Sequence, residues 1–157
     1  MVAYGTEALS VLRIEKGHVS GAELDGRTTA QDMALGRMMS SKKHFVGEVL
    51  CQREGMKDDS RPSLVGVKPV DKAQRLRGGA HFVKDVADAG RIKSLGWVSS
   101  VADSPAVGCW IGLGYLRGGM AHEGEKLFAW YPLKEEMVEV EICNPVFVDP
   151  EGERLHG

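Results

Sequence analysis

From Leu64 onward the apolar residues of this chain arrive in short runs, alternating or unbroken, and each run is closed by glycine or proline before it could become a helix. The runs are Leu64-Val65-Gly66-Val67, Ile92, Trp97-Val98, Cys109-Trp110-Ile111, Leu127-Phe128-Ala129-Trp130 and Val138-Glu139-Val140-Glu141-Ile142. Gly78-Gly79, Gly90, Gly118-Gly119, Gly124 and Pro132 punctuate them. Short runs rich in β-branched and aromatic residues read as strands, and turns at such close intervals join antiparallel neighbours. A compact antiparallel β-barrel or sandwich is therefore predicted. Glycine accounts for 20 of 157 residues, well above the usual ~7%, as many tight turns would require.

The first third of the chain has a different period. Ala8, Leu9, Val11, Leu12 and Ile14 cover one broad face of a helix over residues 6–16, with Thr6 as its cap and Gly17 as its stop signal. Thr28-Thr29 followed by Asp32 approximates a capping box, so a short helix or turn begins there. Phe45 to Leu50, closed by Gly55, reads as another short helix. The polar stretch Lys57-Asp58-Asp59-Ser60-Arg61-Pro62 reads as a linker. The fold class predicted is α+β, with the helical part N-terminal and the β part C-terminal to that linker.

Composition removes several functions. Twenty Lys plus Arg against 22 Asp plus Glu leave a net charge of -2, which calls for neither a nucleic-acid nor a membrane partner. Cys51, Cys109 and Cys143 form no C-x-x-C, so a disulfide framework or zinc knuckle is not indicated. Without secretory or transit features at the N-terminus, a cytoplasmic location is expected. Gly112-Leu113-Gly114-Tyr115-Leu116-Arg117-Gly118-Gly119 superficially resembles a dinucleotide loop, but a strand follows rather than a helix, so a glycine-rich strand and hairpin is predicted. His18, His44, His81, His122 and His156 lack metal-ligand spacing. Ser99, Ser100 and Cys109 have no legible base and read as strand residues. Trp97, Trp110, Trp130, Phe128 and Tyr131 could stack on a planar ligand, with core packing as the ordinary reading.

Glu15 is the residue that attracts chemistry. It ends an amphipathic helix beside apolar neighbours, and a carboxylate drawn inward needs a donor. An ion pair with Arg13 or Lys16, or plain solvation, would account for it. The surrounding residues also carry a family likeness. Gly5-Thr6-Glu7-Ala8-Leu9, Leu12-Arg13-Ile14-Glu15-Lys16-Gly17, Asp25-Gly26-Arg27-Thr28-Thr29, Leu35-Gly36, Lys43-His44-Phe45-Val46-Gly47 and Asn144-Pro145-Val146-Phe147-Val148-Asp149-Pro150-Glu151-Gly152 resemble the aminomethyltransferase (glycine-cleavage T-protein) family. Within it, the similarity is to the branch fused into bacterial sarcosine oxidase alpha subunits.

That resemblance implies a short helical tail of a folate-binding region over 1–58 followed by the family's C-terminal antiparallel β-barrel domain over 62–150. It implies that Glu15 contacts the pterin of tetrahydrofolate, whose 2-amino group and ring N–H are a donor pair that one carboxylate can accept. It also implies a basic residue near the glutamate tail of folate, for which Lys42 and Lys43 are the candidates. FAD, FMN and NAD are implied only for a complete enzyme, whose other alpha-subunit domains and subunits would be the partners. The family's acidic residue for one-carbon transfer is expected upstream of Met1, so no catalytic residue is assigned and the chain is expected to be a catalytically incomplete fragment. Three positions depart from the pattern: Ala30 follows Thr29 in place of proline, Arg37 replaces an aromatic after Leu35-Gly36, and Glu23 replaces an aspartate. Two rivals are a structural, subunit-contacting barrel without folate binding, and an iron–sulfur assembly relative. The second is disfavoured because Lys16-Gly17-His18-Val19 lacks that group's cysteine.

Overall fold

The computed structural model describes residues 3–89 and 93–156. Six strands, β1 (Pro62–Pro69), β2 (His81–Val83), β3 (Gly96–Ser104), β4 (Cys109–Arg117), β5 (Lys126–Tyr131) and β6 (Glu136–Cys143), form a closed barrel in the order β1-β4-β3-β2-β5-β6. All pairings are antiparallel, and β1 with β6 closes the ring through Gly66 opposite Cys143 and Val67 opposite Ile142. Closure removes exposed sheet edges. Of the runs read as strands, Ile92 and its neighbour Gly90 lie outside the described residues; the others fall within β1, β3, β4, β5 and β6. The three-residue β2 went unpredicted because it is too short to show alternation. The glycine-rich run is strand β4, but no hairpin follows it: a 3-10 turn, Gly119–His122, intervenes before β5, and β4 pairs instead with β3 and β1.

The helices are few: α1 (Thr6–Glu15), α2 (Glu48–Cys51), α3 (Val86–Ala89) and α4 (Glu153–His156). None among the described residues is long and apolar enough to cross a membrane. The α1 N-cap is Gly5 in extended conformation and makes no side-chain cap, so Thr6 is the first helical residue rather than the cap. The stop signal is as read. His18 N–H reaches the Arg13 carbonyl at 2.8 Å and Gly17 N–H the Ile14 carbonyl at 3.0 Å, the paired bonds of a Schellman motif, with Gly17 at φ +70°. Thr29 and Asp32 make the reciprocal capping-box bonds, 2.9 Å and 3.2 Å, around a turn. The short helix read over Phe45 to Leu50 begins later, at Glu48, after Gly47 turns the chain with φ +92°.

Two apolar clusters lie on opposite sides of the barrel wall. Val65, Val67, Phe82, Val98, Leu116, Leu127, Val140 and Ile142 belong to the first, with Trp110 and Tyr131 packed on it. Ile14, Leu64, Ala102, Ile111, Leu113 and Tyr115 belong to the second, with Val11, Trp97 and Phe147 packed on it. Strand β4 serves both by alternation: Ile111, Leu113 and Tyr115 on one face, Trp110 and Leu116 on the other. It is thus buried on both faces, which a strand covered by an N-terminal segment must be. At Gly96 a Cβ would overlap the Tyr115 carbonyl oxygen of the adjacent strand, so only glycine permits that approach. The helical face read from sequence is only half used: Ile14 is buried and Val11 partly so, while Leu9 and Leu12 remain about half exposed, each at 50%.

Candidate functional site

The seam between α1 and β3 gathers the buried charge. A register shift in β3 between Val98 and Ser100 changes the phase of alternation. Val98 and Val101 then pack on the barrel cluster, while Ser99 and Ser100 both meet Glu23 Oε1, donating at 2.7 Å and 2.5 Å. Glu23 Oε2 accepts from Arg13 Nη1 at 2.9 Å and from the Ser20 N–H at 2.9 Å. Arg13 Nη2 also donates to Ser100 Oγ at 2.6 Å, and Tyr115 Oη donates to the Glu23 carbonyl at 2.8 Å. Burial by itself would raise the Glu23 carboxyl, but the hydrogen bonds from Ser100, Ser99 and Ser20, with the Arg13 charge, hold it below the usual carboxylate range. Burial, and next the Glu23 charge, push the Tyr115 phenol up to about 12.

Asp32 repeats the pattern. Arg61 donates to both its oxygens, at 3.3 Å and 2.7 Å, and the carboxyl is held low against its burial by Arg61 and Thr29. Glu15 does not repeat it. Its side chain accepts from Ser104 Oγ at 2.6 Å through Oε1. Among the described residues Oε2 has no hydrogen-bond partner, and it is not sealed from solvent although Glu15 is only 6% exposed. The ion pairs considered for it go elsewhere: Arg13 to Glu23 and Lys16 to Asp149. Of the buried carboxylates Glu15, Glu23 and Asp32, Glu15 is the one with no cation beside it among the described residues.

Residue 15 is nonetheless firmly held. Its carbonyl accepts from Phe147 N–H at 2.9 Å and Val148 N–H at 3.0 Å, both on the strap that follows β6. Lys16 Nζ binds the same strap through the carbonyl and the carboxylate of Asp149. A Cβ on Gly17 would stand 2.7 Å from the Pro145 carbonyl oxygen, so the strap crosses where only glycine fits.

Lys42 and Lys43 occupy a different surface. Both side chains are exposed, and their amides donate to Ser40 Oγ at 3.2 Å. Lys43 helps line a cavity of about 530 Å3 walled mainly by Met38, Met39, Phe45, Val46, Leu50 and Met56. Glu15 is not among its lining residues, so the structure does not bring the glutamate and the lysines together. His44 pairs with Glu48, His81 with Ser94 and His122 with Glu125. Trp97 packs on Tyr115 at 5.4 Å between ring centres, and Arg75 lies over Trp110. Sequence reasoning missed Glu23 and Asp32 as buried acids. For Asp32 the capping-box spacing was a usable signal; for Glu23 the only one was its substitution for aspartate.

Known proteins agree with this architecture. The chain is 45% identical over 157 residues to the sarcosine oxidase subunit alpha of Rhizobium meliloti (strain 1021), covering 99% of the chain and 16% of the relative. It is 40% identical over 157 residues to the subunit of the same name from Corynebacterium sp. (strain P-1), covering 98% and 16%. It thus spans about one sixth of the length of these curated relatives. Among solved structures, the glycine cleavage system aminomethyltransferase T of Bartonella henselae superposes with a TM-score of 0.73 at 25% identity, over 91% of this chain and 38% of that one. Residues 63–149, which contain all of β2 to β6 and nearly all of β1, match the glycine cleavage T-protein C-terminal barrel domain, and the chain belongs to that family.

Proposed function

We propose that this chain is the C-terminal segment of a sarcosine oxidase alpha subunit and that it helps tetrahydrofolate accept the one-carbon unit from oxidised sarcosine. The observation that carries the folate part is the Glu15 carboxylate, buried and, among the described residues, without a cation and with one oxygen unpartnered. A buried charge left in that state is costly, and sites that bind ligands are where such costs persist. The donor set fits: the 2-amino group and ring N–H of a pterin are neutral donors of the kind a carboxylate lacking a cation can accept. Tetrahydrofolate, when bound, supplies the nitrogen nucleophiles that capture carbon at the formaldehyde oxidation level. The part of this chain is to hold and orient it and to exclude water around Glu15. Lys42 and Lys43, on a different surface from Glu15, would attract the anionic glutamate tail at longer range. Flavin and nicotinamide chemistry, with FAD, FMN and NAD, is assigned to other regions of the complete enzyme, and those regions and the other subunits are the proposed partners.

Titration calorimetry of the intact protein with tetrahydrofolate tests this. Glu15→Gln should weaken binding about tenfold or more, the usual scale for losing a hydrogen bond to a charged group. Unchanged affinity would leave the second reading, a structural barrel that contacts other subunits. That reading is favoured by the exposed apolar side chains of Met38, Val46, Val49 and Leu50 in the N-terminal segment. Val46→Asp and Val49→Asp should then release the partner subunits on gel filtration while leaving the barrel folded.

A further inference from the structure

We infer that Ser104 is a positioning residue that orients the Glu15 carboxylate so that Oε2 is the oxygen offered to a ligand. The inference rests on the folate reading and adds to it a residue that does not itself touch the ligand. Ser104 closes β3, and its hydroxyl has two neighbours: it accepts from the Val107 N–H at 3.1 Å and lies 2.6 Å from Glu15 Oε1. A hydroxyl has one proton. With the amide of Val107 directed at its lone pair, the proton goes to Glu15, and the group facing it has to be an acceptor. The amide also polarises the hydroxyl and strengthens the bond it donates. Meanwhile the Phe147 and Val148 amides hold the carbonyl of residue 15. Side chain and main chain are thus each held by a separate element, the β3–β4 turn and the strap.

The wall offers a matched control. Ser100, four residues earlier on β3, also donates to a glutamate on the N-terminal segment, but that glutamate has both oxygens satisfied. In the intact protein, tetrahydrofolate affinity should fall about tenfold in Ser104→Ala, stay near the parent value in Ser104→Thr, which keeps the hydroxyl, and stay near it in Ser100→Ala despite a lowered melting temperature. Should Ser104→Ala fail to fold, Ser104→Cys preserves shape with a weak donor and should show the same loss. Equal losses in Ser104→Ala and Ser100→Ala would overturn the inference, since disruption of the seam alone would explain both. Full affinity in Ser104→Ala together with weakened binding in Glu15→Gln would overturn it while leaving the folate reading in place. Full affinity in Glu15→Gln would remove the folate reading, and the inference with it.

Discussion

The seam between α1 and the barrel has two ends made from the same parts, a β3 serine facing a glutamate, and they differ in how charge is settled. At the Ser100 end, Glu23 receives two hydroxyls, an amide and a guanidinium, and its side chain is fully buried. At the Ser104 end, Glu15 receives one hydroxyl and no cation among the described residues. Complete satisfaction is what a docking contact needs; an incomplete shell of donors is what a binding contact leaves for its ligand. The difference teaches that burial of an acid is weak evidence of function until its partners are counted.

The largest effect should come from breaking the satisfied end. Glu23→Ala removes the common acceptor of Arg13, Ser99, Ser100 and the Ser20 amide and should cost about 3–5 kcal/mol in urea unfolding, the range for orphaning one member of a buried pair. Amide exchange should quicken first in α1 and later in the barrel, because the apolar cluster that includes Val65, Phe82 and Ile142 contains none of Arg13, Glu23, Ser99 or Ser100. The same glutamate sets an acid dependence. Its folded carboxyl titrates below the 4.5 of a free glutamate, so its contribution is fully present above that pH and is lost as pH falls through the lower folded value. Asp32 acts in the same direction from 3.8. Stability measured from pH 6 to 2 should thus hold nearly level and then decline, and Glu23→Gln should be less stable at pH 6 with a shallower decline. An equally steep decline in that variant would show that other carboxylates govern acid unfolding.

A middle-sized effect tests the strap. Gly17→Ala places a Cβ at a positive φ and against the Pro145 carbonyl, and should cost about 1–3 kcal/mol by thermal unfolding. A loss below that range would mean that the strap moves aside easily and that residue 15 is held mainly through Ser104.

How much of this was legible in the sequence depends on the range of the interactions. The alternating run Val138 to Ile142 and the stop at Gly17 were readable because their causes are local: side chains alternate along a strand, and a helix end needs a left-handed residue. The Thr29–Asp32 box is local too. Whether the strands made a barrel or a sandwich was not readable, since it turns on β1 meeting β6 and β2 meeting β5, pairings across long stretches of chain. The phase change in β3 that aims Ser99 and Ser100 at one oxygen leaves no periodic trace over two residues. Glu15 could be singled out from its helical position and from the family likeness, but its partner Ser104 is 89 residues away. Arg13 and Lys16, the local candidates, were drawn to Glu23 and Asp149 instead.

The smallest expected change in stability is the one that separates the two ends most sharply. In Glu15→Gln the amide oxygen can still accept from Ser104, and a buried charge without a cation disappears, so the unfolding free energy should stay within about 0.5 kcal/mol of the parent or rise. Glu23→Gln makes the same chemical change at the satisfied end and should be clearly destabilising, because Arg13 is then left facing a neutral amide. Comparing the two variants by urea unfolding at pH 7 needs no ligand and no other subunit. If Glu15→Gln cost as much as Glu23→Gln, the Glu15 charge would be serving the seam rather than awaiting a donor, and its unpartnered oxygen would no longer argue for a ligand. If only Glu23→Gln is destabilising, the Glu15 charge is dispensable for folding, and a role in binding is what remains for it.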